Sequence, residues 1–205
     1  MHVNEWRPAS PASLGALRHY MAGSTPLSDA EWAPIAAHWE EREIQPGELL
    51  LQEGETCHHL YFLSRGLLRF FFWKDGEDKT KFFTPENQLF TSQFSFSNEV
   101  PCRENIEAIE ACTVLAIHRK QVQKLYTDSA AWGAFIRKTI QQVNVWTEEL
   151  LEDALHQTAA QRYHSLLAED PWMVQRIPLR HLASYLGIAP ESLSRIRKKL
   201  AAGKT

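Results

Sequence analysis

The stretch that decides the fold is Ile177-Pro-Leu-Arg-His-Leu-Ala-Ser-Tyr-Leu-Gly-Ile-Ala-Pro-Glu-Ser-Leu-Ser-Arg-Ile-Arg-Lys-Lys-Leu200. Leu179, Leu182, Ala183 and Leu186 recur at helical spacing, which sets one apolar face. Ala183 is small where a second helix would cross closely. Gly187 can take the left-handed conformation that ends a helix. Pro190 suits the first turn of the next one, where its missing N–H costs nothing. Ile188 can plug the core, and Leu193, Ile196 and Leu200 form the buried stripe of the second helix. Two short helices joined by a glycine-bearing turn read as a helix-turn-helix.

The outer face of the second helix carries Glu191, Ser192, Arg195, Lys198 and Lys199. A glutamate can accept from a cytosine amino group, and an arginine can bind guanine through two hydrogen bonds. Arg197, Lys198 and Lys199 suit phosphates, which add affinity without reading sequence. Glu191 stands one turn before Arg195, a spacing that allows an ion pair to hold the arginine. The competing reading is a basic, solvated helix face.

Charge supports the nucleic-acid reading once it is divided along the chain. The net formal charge is −3 over 205 residues. Residues 156–205 carry eight Lys/Arg and three Asp/Glu, a balance of +5, whereas residues 1–155 carry 14 and 22, a balance of −8. Such asymmetry marks a nucleic-acid-binding module joined to something else.

Upstream of this module lies a long helical pattern from Asp128 or Ser129 to Leu155. It places Trp132, Phe135, Ile136, Ile140, Val143, Trp146, Leu150, Leu151 and Leu155 at steps of three and four. Such a helix either packs on its own domain or joins a second chain, and the width of the apolar set favours dimerisation through Ile136, Ile140, Val143 and Leu150. Thr158-Ala-Ala-Gln161 is a capping box opening a further helix, which Glu169-Asp-Pro171 ends.

Between Glu43 and Ile117 the period changes to short apolar runs: Leu49–Leu51, Leu60–Leu63, Leu67–Trp73, Lys79–Phe83, Asn105–Ile109 and Val114–Ile117. Gly47, Gly54, Gly66, Gly76 and Pro85-Glu-Asn87 separate them, which indicates an antiparallel sandwich or barrel. A short helix is expected over His118–Tyr126. The N-terminal forty residues read as helical, with a Ser28-Asp-Ala-Glu31 capping box ahead of Trp32, Ile35, Ala36 and Trp39.

Taken in this order, the chain resembles the Crp/Fnr superfamily of bacterial transcription factors, from about Leu27 to Leu200. Leu-Ala-Ser-Tyr-Leu-Gly-Ile188 and Pro190-Glu-Ser-Leu-Ser-Arg-Ile-Arg197 are very similar to one branch of it. The resemblance implies an α+β architecture with three parts. Residues 1–127 would hold N-terminal helices and an antiparallel β-roll of the cyclic-nucleotide-binding type, a jelly-roll. Residues 128–155 would be the dimerisation helix, and residues 156–205 a winged-helix-like DNA-binding domain. It implies a homodimer on a twofold-symmetric operator, with Glu191 and Arg195 reading bases and Ser192 as a third contact.

Departures from the family concern the effector and the wing. Cyclic-nucleotide binders of the family grip ribose with Gly-Glu and phosphate with Arg-Ser/Thr. Here Thr91-Ser92 stands at the first position, Arg103 comes one residue late, and Glu104 follows it. The effector pocket is therefore expected at Thr91, Ser92 and Arg103, for an unidentified small molecule other than a cyclic nucleotide held in the usual way. The roll is rich in aromatics, from Phe70 to Phe96, which serve a core or line an apolar pocket, and Phe94 and Phe96 sit in the pocket segment. Only five residues follow Leu200, so the wing is expected to be minimal, with any preceding strands around Val174–Pro178.

Other classes receive no support. His58 and His59 are adjacent on an expected strand, so their rings would diverge. Cys57 lacks metal-ligand spacing, and neither a metal nor a cofactor is expected. No nucleophile–base pair, phosphate loop or hydrolase motif points to an enzyme. No run of 18 apolar residues or signal core occurs, so a cytoplasmic chain without membrane contact is expected. Cys57, Cys102 and Cys112 read as reduced and structural. The runner-up function is a ligand-binding or protein-interaction module with a vestigial helix-turn-helix.

Overall fold

The computed structural model describes residues 5–201, which divide into two compact units. The first comprises residues up to Phe71 and Phe83–Gln141, and the second Phe72–Phe82 and the chain from Gln142 onward. The boundary cuts the long helix between Gln141 and Gln142 rather than at its ends.

The strands form two antiparallel sheets, which belong to the first unit except for the parts of β5 and β6 within Phe72–Phe82. One has five strands in the order β1 (Arg7–Pro8), β2 (Glu40–Ile44), β9 (Cys112–His118), β4 (His59–Arg65) and β7 (Gln88–Phe90). The other has four, in the order β3 (Leu49–Leu51), β8 (Asn105–Ala108), β5 (Leu67–Lys74) and β6 (Glu77–Pro85). Every apolar run read from the sequence is a strand. Pairing of Tyr61 with Ala116 and Phe90, and of Phe62 with Leu115 and Leu89, gives the larger sheet two distinct faces. On one, Tyr61 stacks on Phe90 at 5.2 Å, and Phe90 meets the edge of Phe70 from the other sheet, so the aromatics of these strands form the roll's interior.

The other face, with Phe62, Leu115 and Ile117, is covered by helices. These are α1 (Pro11–Ala22), α2 (Asp29–Ala36), α4 (Arg119–Asp128) and the first turns of α5 (Ala130–His156). Leu17, Met21, Ile35, Trp39, Leu125, Trp132 and Phe135 complete this core. The packing of the long helix changes along its length. Trp132, Phe135 and Ile136 pack on their own sheet, while Ile140, Val143, Val145, Trp146, Leu151 and Leu155 are exposed. Both expected capping boxes form, at Ser28–Glu31 and at Thr158–Gln161.

Gly66 and Gly187 are two of the glycines whose backbone conformation disfavours a side chain. Gly66 closes the β4–β5 turn at φ 103°, and a Cβ there would lie 2.6 Å from Cys112 Sγ and 2.8 Å from the Ala111 carbonyl oxygen. Gly187, in the second unit, is treated with the functional site.

One buried carboxylate organises the N-terminal segment. Glu41, 3% exposed, accepts from Arg7 Nε at 3.1 Å and Ser10 Oγ at 2.8 Å. Ser10 is also the N-cap of α1, and β1 pairs with β2 through Arg7 and Glu41. Burial opposes ionisation of Glu41, but the Ser10 amide, the Ser13 and Ser10 hydroxyls and Arg7 together outweigh it and hold its carboxyl below the ordinary range.

The second unit holds the hairpin segment Phe72–Phe82, the rest of α5, and the helices α6 (Ala159–Glu169), α7 (Pro171–Arg176), α8 (Leu179–Leu186) and α9 (Pro190–Ala201). Within it, Phe82 meets Trp146 edge-on at 5.3 Å. Ser184 Oγ accepts from the N–H of Thr80 at 2.9 Å and donates to the Asp78 carbonyl at 3.1 Å.

Several expectations are corrected here. Val174–Arg176 is the end of α7 and Ile177-Pro178 the link to α8, so no strand lies there, because Pro171 at a first helical position starts a new helix at once. The strand placed from Glu43 begins at Glu40, and β1, β7 and the short helix α3 (Gln93–Asn98) were not anticipated. The wing segment beyond Ala201 lies outside the described residues.

Candidate functional site

The helix-turn-helix is fixed by its turn. Gly187 adopts φ 72° and ψ 27°, the left-handed region that penalises a Cβ. Its N–H donates to the Ser184 carbonyl at 3.1 Å, and that of Ile188 to the Ala183 carbonyl at 3.0 Å. This crossed pair is a Schellman motif, which satisfies the carbonyls at the end of α8 and turns the chain into α9. Leu182, Ala183 and Leu186 of α8 and Leu193 of α9 are buried, with Tyr163, Leu166, Met173 and Ile177 in the same unit. Ala183, wholly buried, leaves room for the close crossing expected of it. Ile196 and Leu200 are half-buried. His181, which carried no expectation, is also buried, with Arg180 Nε 3.1 Å from its Nε2.

Arg162 steadies the same junction. Its guanidinium donates to the Tyr185 carbonyl at 3.2 Å and lies 5.2 Å from the Tyr185 ring centroid. A cation at the C-terminal end of α8 is favoured by the helix dipole. Burial pushes the Tyr185 phenol up, against the pull of Arg162.

Along α9, Glu191, Arg195, Arg197, Lys198 and Lys199 are exposed and Ser192 is half-buried. At 3.6 residues per turn, Glu191, Arg195 and Lys198 share the side opposite Leu193 and Leu200, with Ser192 and Lys199 on one flank. Arg197 lies on the other flank, nearer the inner stripe. The Glu191–Arg195 ion pair is not formed among the described residues. Arg195 instead folds back on its own helix, with Nε 3.4 Å from the Glu191 carbonyl and a terminal nitrogen 3.2 Å from Ser192 Oγ. The guanidinium is thus held by a backbone carbonyl and a hydroxyl, and the Glu191 side chain is exposed.

In the first unit, Thr91 and Ser92 precede α3. Thr91 Oγ1 donates to the His59 carbonyl at 2.9 Å and lies 3.3 Å from Cys57 Sγ. Ser92, 1% exposed, donates to Glu104 Oε1 at 2.8 Å. Arg103 is exposed and lies 4.6 Å over the ring of Phe94, itself 50% exposed. The carboxylate beside the expected phosphate position is thus turned into the fold, onto Ser92, while the arginine is turned out onto Phe94.

The histidines differ from expectation. His58 precedes β4, so the alternation of a strand does not separate it from His59. Both approach His118, His58 by stacking at 6.2 Å and His59 edge-on at 5.2 Å. Burial, with His118 and His58 beside it, holds His59 down at about 4. No group of three His, Cys, Asp or Glu side chains among the described residues is arranged to hold a metal. Cys57, Cys102 and Cys112 are free and buried. No described helix is long and apolar enough to cross a membrane.

Residues 41–129 match the family model of the cyclic nucleotide-binding domain. No curated protein matches the chain. Among solved structures, FixK2 from Bradyrhizobium japonicum is 20% identical with a TM-score of 0.67, covering 80% of this chain and 84% of its own. A transcriptional regulator of the Crp/Fnr family from Eubacterium rectale is 19% identical with a TM-score of 0.66, covering 86% and 85%. The c-di-GMP responsive global regulator CLP from Xanthomonas campestris is 14% identical with a TM-score of 0.64, covering 86% and 93%. Residues 41–129 thus resemble the cyclic nucleotide-binding domain, and the chain shares its fold with these solved regulator structures.

Proposed function

We propose that the protein is a homodimeric, DNA-binding transcription regulator of Crp/Fnr type. The observation that carries the reading is the outer face of α9. A polar and cationic row of Glu191, Ser192, Arg195, Lys198 and Lys199 is presented by a helix whose inner side is locked through Leu193 and the Gly187 turn. A recognition helix needs this combination of a rigid mount and unobstructed side chains. Glu191, Ser192 and Arg195 read base edges, and Arg197, Lys198 and Lys199 hold phosphates.

The exposed apolar positions of α5 support self-association. Ile140 and Val143 are 51% and 43% exposed, and a helix this apolar on its open side gains by covering it. Ile136 is partly committed to the protein's own core, so the seam centres on Ile140, Val143 and Leu150. The effector of the roll is a small molecule at Thr91, Ser92 and Arg103. The Ser92–Glu104 bond disfavours a cyclic phosphate in the usual grip, since an anion there meets a carboxylate.

Selection from a random duplex pool tests the reading. The expected product is an inverted repeat with half-sites about one helical turn apart. Binding without sequence preference at low salt overturns it in favour of an interaction module.

A further inference from the structure

Away from the helix-turn-helix and from Thr91, Ser92 and Arg103, the first unit contains an open cavity of about 250 Å³. His58, Glu99, His118, Arg119, Lys120 and Gln123 line it. With neutral imidazoles the lining carries two cations against one carboxylate. The carboxylate, Glu99, is 62% exposed on its side chain and ion-pairs with Arg119.

The hydrogen bonding of His118 defines what it offers. His118 Nδ1 accepts from the backbone N–H of Lys120 at 3.1 Å, capping α4. A neutral imidazole that accepts at Nδ1 carries its proton on Nε2, so the other nitrogen is a donor. His58 stacks on this ring with a 17° interplanar angle. The N–H of Arg119 is already used by the His58 carbonyl at 2.8 Å, so the site is made of side chains rather than helix-end amides. Donors from an imidazole, a guanidinium, an ammonium and an amide therefore border one volume, and the anion among them is a surface carboxylate that can swing away.

We propose that this cavity is a binding site for a small oxyanion, a phosphate ion or the phosphoryl group of a larger molecule. The ligand takes the place of Glu99 against Arg119 and adds Lys120. Guanidinium and ammonium groups favour such dianions through charge-assisted hydrogen bonds. The inference is independent of DNA binding, because the residues belong to the sensor unit.

The test is titration of the full chain, without DNA, by inorganic phosphate and separately by methyl phosphate. The readout is the imidazole NMR signals of His58 and His118 at constant ionic strength and pH. Saturable shifts confined to these rings are expected. Lys120→Ala should weaken binding about five-fold and Glu99→Gln should strengthen it by a similar factor, the scale of one exposed charge pair. Response to phosphate alone identifies a free-ion site, and response to both identifies one open to a larger phosphoryl ligand. Shifts that do not saturate, or equal affinity in Lys120→Ala and the parent, overturn the proposal.

Discussion

Thr80 and Ser184 are joined by a hydrogen bond between elements 104 residues apart in sequence, from the N–H of Thr80 to Ser184 Oγ at 2.9 Å. The same hydroxyl donates to the Asp78 carbonyl. One small side chain of α8 thus takes the place of a strand partner for the hairpin segment. Thr80 is 8% exposed, so water cannot readily replace the bond. Ser184→Ala should cost about 1–3 kcal/mol, the penalty for leaving a buried amide unpaired. Urea unfolding of the variant checks the value, and a loss within error of zero counts against the role.

Arg195 and Lys199 should separate by the kind of loss they cause. Arg195→Ala removes a base reader, so discrimination at one base pair should fall by about 1–3 kcal/mol. Lys199→Ala should weaken all sequences alike and flatten the dependence of log affinity on log salt by about one unit. Gel-shift titrations at several salt concentrations distinguish the two. Identical patterns would contradict the assignment.

Self-association should depend on the exposed seam. Val143→Asp places a carboxylate where a second apolar helix would pack, and the dimer constant should fall by at least about ten-fold, or 1.4 kcal/mol. Sedimentation equilibrium reads this directly. Glu148→Gln, on a position outside the seam, should leave the constant unchanged.

Stability should decline with acid in a window set by His59. Its folded value is about 4 against 6.5 for the free side chain. Above 6.5 neither state binds the proton and the group contributes no pH dependence. Between 6.5 and 4 the unfolded chain takes it up while the folded one does not, so stability falls as pH falls. Below 4 the effect levels off. His59→Gln should flatten this segment of a urea-midpoint profile, and an unchanged slope would refute the cause.

How much of this was legible follows from what each residue pattern encodes. Turn chemistry transferred well. Gly47, Gly54, Gly66, Gly76 and Gly187 all have positive φ, as does Asn87, so backbone needs were written in residue type. The helix-turn-helix was legible because its apolar stripe, small crossing residue and turn glycine agree. β2 was obscured by its composition, Glu40-Glu-Arg-Glu-Ile44. Glu41 occupies a buried position where alternation predicts an apolar residue, and its partners Arg7 and Ser10 lie 34 and 31 residues away. Arg69 hides β5's second buried face similarly, paired with Glu107 at 3.3 Å. The orientation of Arg195 was equally unreadable, since i,i+4 spacing permits the Glu191 pair without choosing it over Ser192. The placement of Ser92 against Glu104 depended on two loops meeting, which no local spacing announces.

Glu41 also sets a hierarchy of opening. The edge strand β1, the cap of α1 and the neighbouring strand β2 share a single carboxylate, so β1 and the cap open together. Losing that one knot frees the edge of the five-stranded sheet without disturbing the pairing of β9 with β4. The N-terminal segment therefore exchanges its amide hydrogens as one cooperative patch, ahead of the central strands, and the gap widens only once pH falls below the ordinary carboxylate range, where Glu41 takes up its proton.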